Sequence, residues 1–323
     1  MLSDILPMGM HANSWLAKAL AILNDGQEVV LVTVTATKGS SPRNQGSQML
    51  VTKADIWQTI GGGALEFDVM ARARKMLASD DDHWQRQHIT IILGPDMGQC
   101  CGGQMSLLLE KFTLKQAAIL AALYHEDHDN KMLVHPLDSG VPLRLQSAQS
   151  SFDDAMFMAP VMPRQIPLFI YGAGHVSRAL IPRLDGLGFD IFLVDIDAAR
   201  FAGSLGDNVQ KLLAKAPEKI ALRAPQGAVH LVMTHSHSLD EAICLQLLMR
   251  GDFAYLGLIG SKSKRARFAK RLAAAGVSPA MLDLLICPIG INEIKGKSPA
   301  RVALSITAHL AIWQQLGDDA SPG

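Results

Sequence analysis

The chain has 323 residues, 30 Lys+Arg balanced by 30 Asp+Glu, a hydrophobic fraction of 49% and four cysteines. That length suits about two domains of ~150 residues, and a charged fraction of 19% with ample apolar content excludes a disordered chain. Zero net charge without Lys/Arg clusters argues against nucleic acid, no apolar run reaches the ~20 residues of a membrane span, and sparse cysteines without a secretory signal lead us to expect a cytoplasmic protein.

Residues 14–24 place apolar groups at helical spacing and stop at Asn24-Asp25-Gly26. Val29–Thr35, rich in β-branched residues, predicts a strand that runs into Lys38-Gly-Ser-Ser-Pro-Arg43. The cations Lys38 and Arg43, with the intervening hydroxyls, could hold an anion, although an ordinary turn has the same composition. A second strand is expected over Gln48–Lys53 and a helix over Ala64–Ala78. Ahead of that helix, Gly61-Gly62-Gly63 permits close backbone approach, at Gly62 for example, and Glu66 adds a carboxylate. His88–Leu93 and Met105–Glu110 read as a strand and its return partner around a loop containing Gln99-Cys100-Cys101-Gly102-Gly103. Adjacent cysteines are poorly placed to pair with each other. A thiolate at Cys100 or Cys101, beside Gln99, could act as a nucleophile, a sulfur carrier or a soft-metal ligand, and the alternative is two small buried hydrophobes.

Lys115–Tyr124 predicts a helix, and Met132–Pro136 with Pro142–Gln146 a hairpin about Asp138-Ser139-Gly140. Residues 149–165 have no sustained period and are broken by prolines, so they are taken as a linker between an N-terminal mixed α+β domain (1–148) and a second domain (166–316), with 317–323 a frayed tail. In the second domain strands are expected at Leu168–Tyr171, Asp190–Asp195, Val229–Met233, Ala254–Ile259 and Leu284–Cys287. Helices are expected at Val176–Asp185, 239–250, 262–275 and 299–315, the last capped by Ser298 with Pro299 in its first turn. Such alternation predicts a doubly wound parallel sheet.

Gly172-Ala-Gly174-His-Val-Ser177 follows a strand and opens a helix, and Asp195 ends the next strand about 20 residues on. Gly172 would permit the tight turn, Gly174 would let a phosphate approach the backbone, and Asp195 would take a ribose hydroxyl, which together predict a Rossmann-like domain. Ser177, where Gly or Ala is usual, weakens the expected helix–strand packing. His175 would face a bound ligand. Thr234-His235-Ser236-His237-Ser-Leu-Asp240 puts two imidazoles at a strand's carboxyl end, for ligand contact or, with Asp240, metal binding; N-capping by Ser238 is the plain alternative. Ser261 and Lys262, after Gly257-Leu-Ile-Gly260, could hold an anion at a helix start. Cys244 and Cys287 are assigned to the core.

Seven segments in order resemble the XdhC/CoxI family: Val32–Arg43, Gly61–Glu66, Leu93–Gly103, Tyr171–Val176, Val232–His237, Tyr255–Lys262 and Cys287–Gly290. The resemblance implies an accessory protein rather than an enzyme. Such a protein binds the molybdenum cofactor (molybdopterin), shields it while a cysteine desulfurase sulfurates the metal, and delivers it to the molybdenum subunit of xanthine dehydrogenase or a relative. Cys100 and Cys101 would then lie near molybdenum. The alternatives are an NAD(P)-dependent oxidoreductase, for which a vicinal-cysteine loop has no use, and a metal-dependent hydrolase, for which further ligands are missing. A homodimer is the default assembly.

Overall fold

The first helix starts at Ser14, whose hydroxyl accepts the Ala17 amide at 3.1 Å, and α1 (Trp15–Asn24) turns Trp15, Leu16, Ala19 and Leu23 inward. The computed structural model describes residues 14–79, 84–94, 102–126, 131–148, 156–160, 165–203, 205 and 209–319. The chain forms two units that part at residues 163/164.

In the N-terminal unit β1 (Val29–Lys38), β2 (Gln48–Val51), β3 (Ile56–Gln58), α2 (Gly63–Leu77), β4 (Gln85–Ile92) and β5 (Gln104–Phe112) follow in turn. The strands form an antiparallel sheet ordered β3-β2-β1-β5-β4. Period-two alternation sends Val30, Val32, Leu107 and Leu109 to the face under α2, and Val29, Leu31 and Phe112 to the face under α1. Burying each such aliphatic side chain contributes about 1.5–3 kcal/mol. A helix, α3 (Ala117–His125), joins α1 on its face, and β6 (Lys131–Pro136), β7 (Arg144–Ser147) and β8 (Met156–Pro160) form a second, three-stranded antiparallel sheet.

The face under α1 also buries charge. Glu110 accepts from Arg86 Nε (2.7 Å) through one oxygen and meets His135 Nδ1 (2.5 Å) with the other. Arg86 donates further to the carbonyls of Asp138 (2.9 Å) and Val141 and lies over the Trp84 ring. Burial alone would raise the Glu110 pKa, but His135 and Arg86 together hold it below the ordinary carboxylate value.

The C-terminal unit runs β9 (Ile166–Tyr171), α4 (His175–Leu180), β10 (Phe189–Asp195), β11 (Val209–Leu213), α5 (Pro217–Ala221), β12 (Val229–Val232), α6 (His237–Arg250) and β13 (Tyr255–Leu258). It closes with α7 (Lys262–Ala274), α8 (Pro279–Asp283), β14 (Leu285–Ile286) and α9 (Pro299–Asp319). All six strands are parallel, in the order β11-β10-β9-β12-β13-β14, so the first, fourth, fifth and sixth strands follow one another across the sheet, while the second and third lie on the first strand's other side. This is the doubly wound Rossmann order, with its switch point between β9 and β12. One face packs α4 and α9, the other α5 to α8.

Two expectations need correction. Residues 149–165 are not simply a linker, because Met156–Pro160 pairs with β6 as β8, burying Phe157 and Ala159 on alternate positions. The last helix also continues through residues 317–319, where fraying was expected. Among the described residues no helix is long and apolar enough to cross a membrane.

Candidate functional site

Antiparallel pairing of β1 with β5 sets Lys38 opposite Gln104, so the loop leaving β1 meets the segment entering β5. Ser40 bridges Gly102, and a Cβ on Gly103 would sit 2.0 Å from the Ser40 carbonyl oxygen and 2.9 Å from that of Lys38. Gly103 in turn accepts the Leu93 amide at 2.7 Å. On the same loop Pro42 lies against Gly61, where a Cβ would approach Pro42 Cβ to 2.6 Å. Three motifs distant in sequence, Lys38–Arg43, Gly61–Glu66 and the glycines that follow Cys101, therefore meet at one end of the sheet. Lys38 and Arg43 are exposed, and among the described residues neither side chain is paired. Gln99, Cys100 and Cys101 lie outside the described residues.

Glu66 does not offer its whole carboxylate to a ligand. Its Oε2 accepts from Thr59 Oγ1 (2.5 Å) and from the amides of Ile60 and Gly62 (both 3.1 Å), which holds the glycine turn in place. Gly61, Gly62 and Gly63 all have positive φ, and Gly62 has open space where a side chain would be.

In the C-terminal unit the two loop glycines serve different ends. Gly172 (φ +104°) packs against β12's end, and a Cβ there would fall 2.4 Å from the Met233 carbonyl oxygen. Gly174, with an ordinary negative φ of −87°, leaves open space. Ser177 does not loosen the turn as expected, because its buried hydroxyl donates to the Gly172 carbonyl. Asp195 is 4% exposed; Oδ2 accepts the Ala173 amide at 2.7 Å and Oδ1 the Asp197 amide at 3.1 Å, with Arg200 Nε 3.9 Å away. The acid expected to take a ribose hydroxyl is thus engaged by its own loops. The crevice between it, Gly172, Thr234 and His235 has a volume of about 10 Å³, room for about one water. His175, His235 and His237 are exposed.

Helix α6 is capped by Ser236, whose Oγ accepts the Leu239 amide at 3.3 Å, and not by Ser238. Asp240 is fully buried, accepting from Thr234 N (3.0 Å) and Oγ1 (2.7 Å) and from Lys264 Nζ (2.7 Å). Three donors, one of them a buried cation, already engage it, and among the described residues no His/Cys/Asp/Glu group could hold a metal. Ser261 caps α7 and Lys262 is exposed. The unforeseen cation is Lys264, which is buried and also donates to the Ile259 carbonyl at 2.9 Å. Its signal was a second lysine three residues beyond the helix cap Ser261. Cys244 is core, and burial pushes its thiol up. Cys287 packs at the edge of the same core, half-buried at β14's carboxyl end with Sγ 3.9 Å from the Ser261 carbonyl oxygen.

A family model described as the XdhC Rossmann domain matches residues 168–310, and one described as the XdhC and CoxI family matches residues 22–88. "Uncharacterized protein YqeB" of Escherichia coli K12 is 24% identical over 285 residues, which cover 87% of this chain and 42% of that protein. The chain thus spans less than half of that relative's length. A probable xanthine dehydrogenase subunit from Bacillus subtilis 168 is 25% identical over 334 residues, covering 90% of this chain and 94% of that one. A crystal structure described as a xanthine dehydrogenase from Bacillus halodurans superposes with a TM-score of 0.74 at 22% identity, covering 96% and 98% of the two chains, and so shares the fold. With two models of the family matched in order along it, the chain belongs to the XdhC and CoxI family.

Proposed function

We propose that this protein serves the maturation of a xanthine dehydrogenase or a related molybdenum hydroxylase. Its cargo is the molybdenum cofactor, which it shields while a cysteine desulfurase sulfurates the metal and then delivers to the apo-enzyme's molybdenum subunit. The observation that carries the reading is the meeting of Lys38–Arg43, Gly61–Glu66 and Gly102-Gly103 at one end of the N-terminal sheet. A phosphorylated cargo needs cations, which the exposed Lys38 and Arg43 supply, and close backbone approach, which Gly62 permits. Sulfur is the soft donor a molybdenum centre accepts, and Cys100 and Cys101 directly precede the pinned glycines. The names of the relatives point to the same enzyme class.

An NAD(P)-dependent oxidoreductase fits less well. Asp195 is buried and already accepts the Ala173 and Asp197 amides, and the crevice beside it has no room for a nucleoside. The test is to purify the protein from a host that makes the cofactor, measure bound molybdenum, and reconstitute an apo-dehydrogenase. Wild-type protein should carry molybdenum and restore activity, and Cys100→Ser/Cys101→Ser should keep its fold but fail to deliver. Absence of molybdenum and of reconstitution with wild-type protein overturns the reading, as does robust substrate-dependent NADH formation.

A further inference from the structure

Helix α9 carries no Asp, Glu, Lys or Arg from Val302 to Gly317. A helix of that composition is ordinarily buried all round. Its inward side is: Ala303, Ile306 and Leu310, at i, i+3, i+7 spacing, join the core on one face of the parallel sheet. Its outward side is not. Leu304, Ile312 and Leu316 are 50%, 49% and 65% exposed, and with Ala300 and Ala308 they form one row in steps of four. An apolar ridge about four turns long therefore faces outward.

The row is close to symmetric about Ala308. On two antiparallel copies of α9 related by a two-fold axis at Ala308, Leu304 of one copy meets Ile312 of the other, and Ala300 meets Leu316. The small Ala308 side chains at the crossing let the two backbones approach closely. Charge favours the same direction. The exposed Lys295, Lys297 and Arg301, against the single acid Glu293, make the entry to the helix cationic. The sequence ends the helix with Asp318 and Asp319. Antiparallel pairing brings each cationic entry over the other copy's acidic end and opposes the helix dipoles, whereas parallel pairing sets like ends together.

We propose that two copies of this chain pair through the outward ridge of α9, antiparallel about Ala308. A two-fold arrangement of this kind uses the same patch on both copies, so it covers the ridge once and recruits no further chains. One helix pair buries less area than a standard interface, which places the dimer among the weak, reversible ones.

Sedimentation velocity of the full-length protein between about 1 and 100 μM should show a monomer–dimer equilibrium. Ile312→Glu and Leu304→Lys each set a charge against an apolar side chain of the other copy. Each should weaken the dimer about tenfold or more with an unchanged circular dichroism spectrum. The two positions lie two turns apart on one helix, too far to interact within a chain, yet they face each other across the axis. The double variant Leu304→Lys/Ile312→Glu should therefore dimerise about tenfold more tightly than either single variant. A monomer at every concentration, a dimer that neither single variant weakens, or a double variant no tighter than the singles overturns the proposal. Two further outcomes overturn it by naming another cover for the ridge. A monomer that Ile312→Glu destabilises assigns the cover to another part of the same chain. A stably folded monomeric Ile312→Glu that no longer reconstitutes an apo-dehydrogenase, where monomeric wild type does, assigns it to that enzyme's subunit.

Discussion

The two units solve the same problem, holding loops where a ligand can reach them, in opposite ways. The N-terminal unit pins loops from distant parts of the chain against each other, through approaches so close that Gly61 and Gly103 have no room for a side chain. Toward the other end of the same sheet it buries a charged knot of Glu110, Arg86 and His135. The C-terminal unit raises each loop locally at the end of a parallel strand, and its most deeply buried imidazole, His230, is neutral. Burial, aided by the Arg250 charge, pushes the His230 pKa down to about 3 as the ring stacks on Phe169 and Tyr171. Damage should therefore be global in the first unit and local in the second.

The largest effect is expected from Glu110→Ala, which leaves the Arg86 guanidinium buried without its carboxylate and should cost about 3–5 kcal/mol by urea denaturation. A loss under about 1 kcal/mol would show that Arg86 finds other partners and would erase the contrast. Next come Gly103→Ala and Gly172→Ala, each about 1–3 kcal/mol, from the forced contact at 2.0 Å in one and 2.4 Å plus left-handed strain in the other. Limited proteolysis should then show Gly103→Ala opening the whole N-terminal sheet and Gly172→Ala opening only the β9–α4 turn; the same digestion pattern from both counts against the distinction.

Acid separates the units further. The His230 pKa is depressed on folding, so below pH 6.5 the unfolded chain takes up a proton that the folded chain refuses. Stability should fall by about 1.4 kcal/mol per pH unit between pH 6.5 and about 3. Glu110, also depressed, keeps its contribution above the ordinary carboxylate value of 4.5 and loses it as pH falls through its folded value. Melts at pH 7, 6 and 5 should thus weaken the C-terminal unit first, and His230→Phe should flatten that slope; an unchanged slope assigns it to another group. The smallest change is Gly174→Ala, within about 0.5 kcal/mol of wild type, because its Cβ meets open space. A larger loss means the turn needs that glycine for itself.

The parallel sheet was legible in the sequence because each strand is a short apolar run followed at once by its turn, as in Leu168–Tyr171 and Gly172. The elements missed span three to five residues: β3, β11, α5 and α8 are too short to show a period, and β8 lies among prolines. At the site, the local motifs were visible but their partners were not. Nothing near Asp195 in sequence announces that Ala173 will take its oxygen, and nothing near Lys264 announces Asp240. The meeting of Ser40 with Gly102 depends on the β1–β5 pairing, which the return-strand reading of Met105–Glu110 did not reach.

The contact between Gly103 and the Ser40 carbonyl also fixes where the chain can change length. β5 pairs on both sides, and its alternation sends Leu107 and Leu109 to one helix layer and Phe112 to the other. An extra residue after Gly103 slips that register by one and turns each of these side chains to the wrong layer. An extra residue before Gly102 leaves the register alone. A change of length at the downstream junction therefore breaks the packing of both helix layers, while one upstream of Gly102 leaves β5 in place.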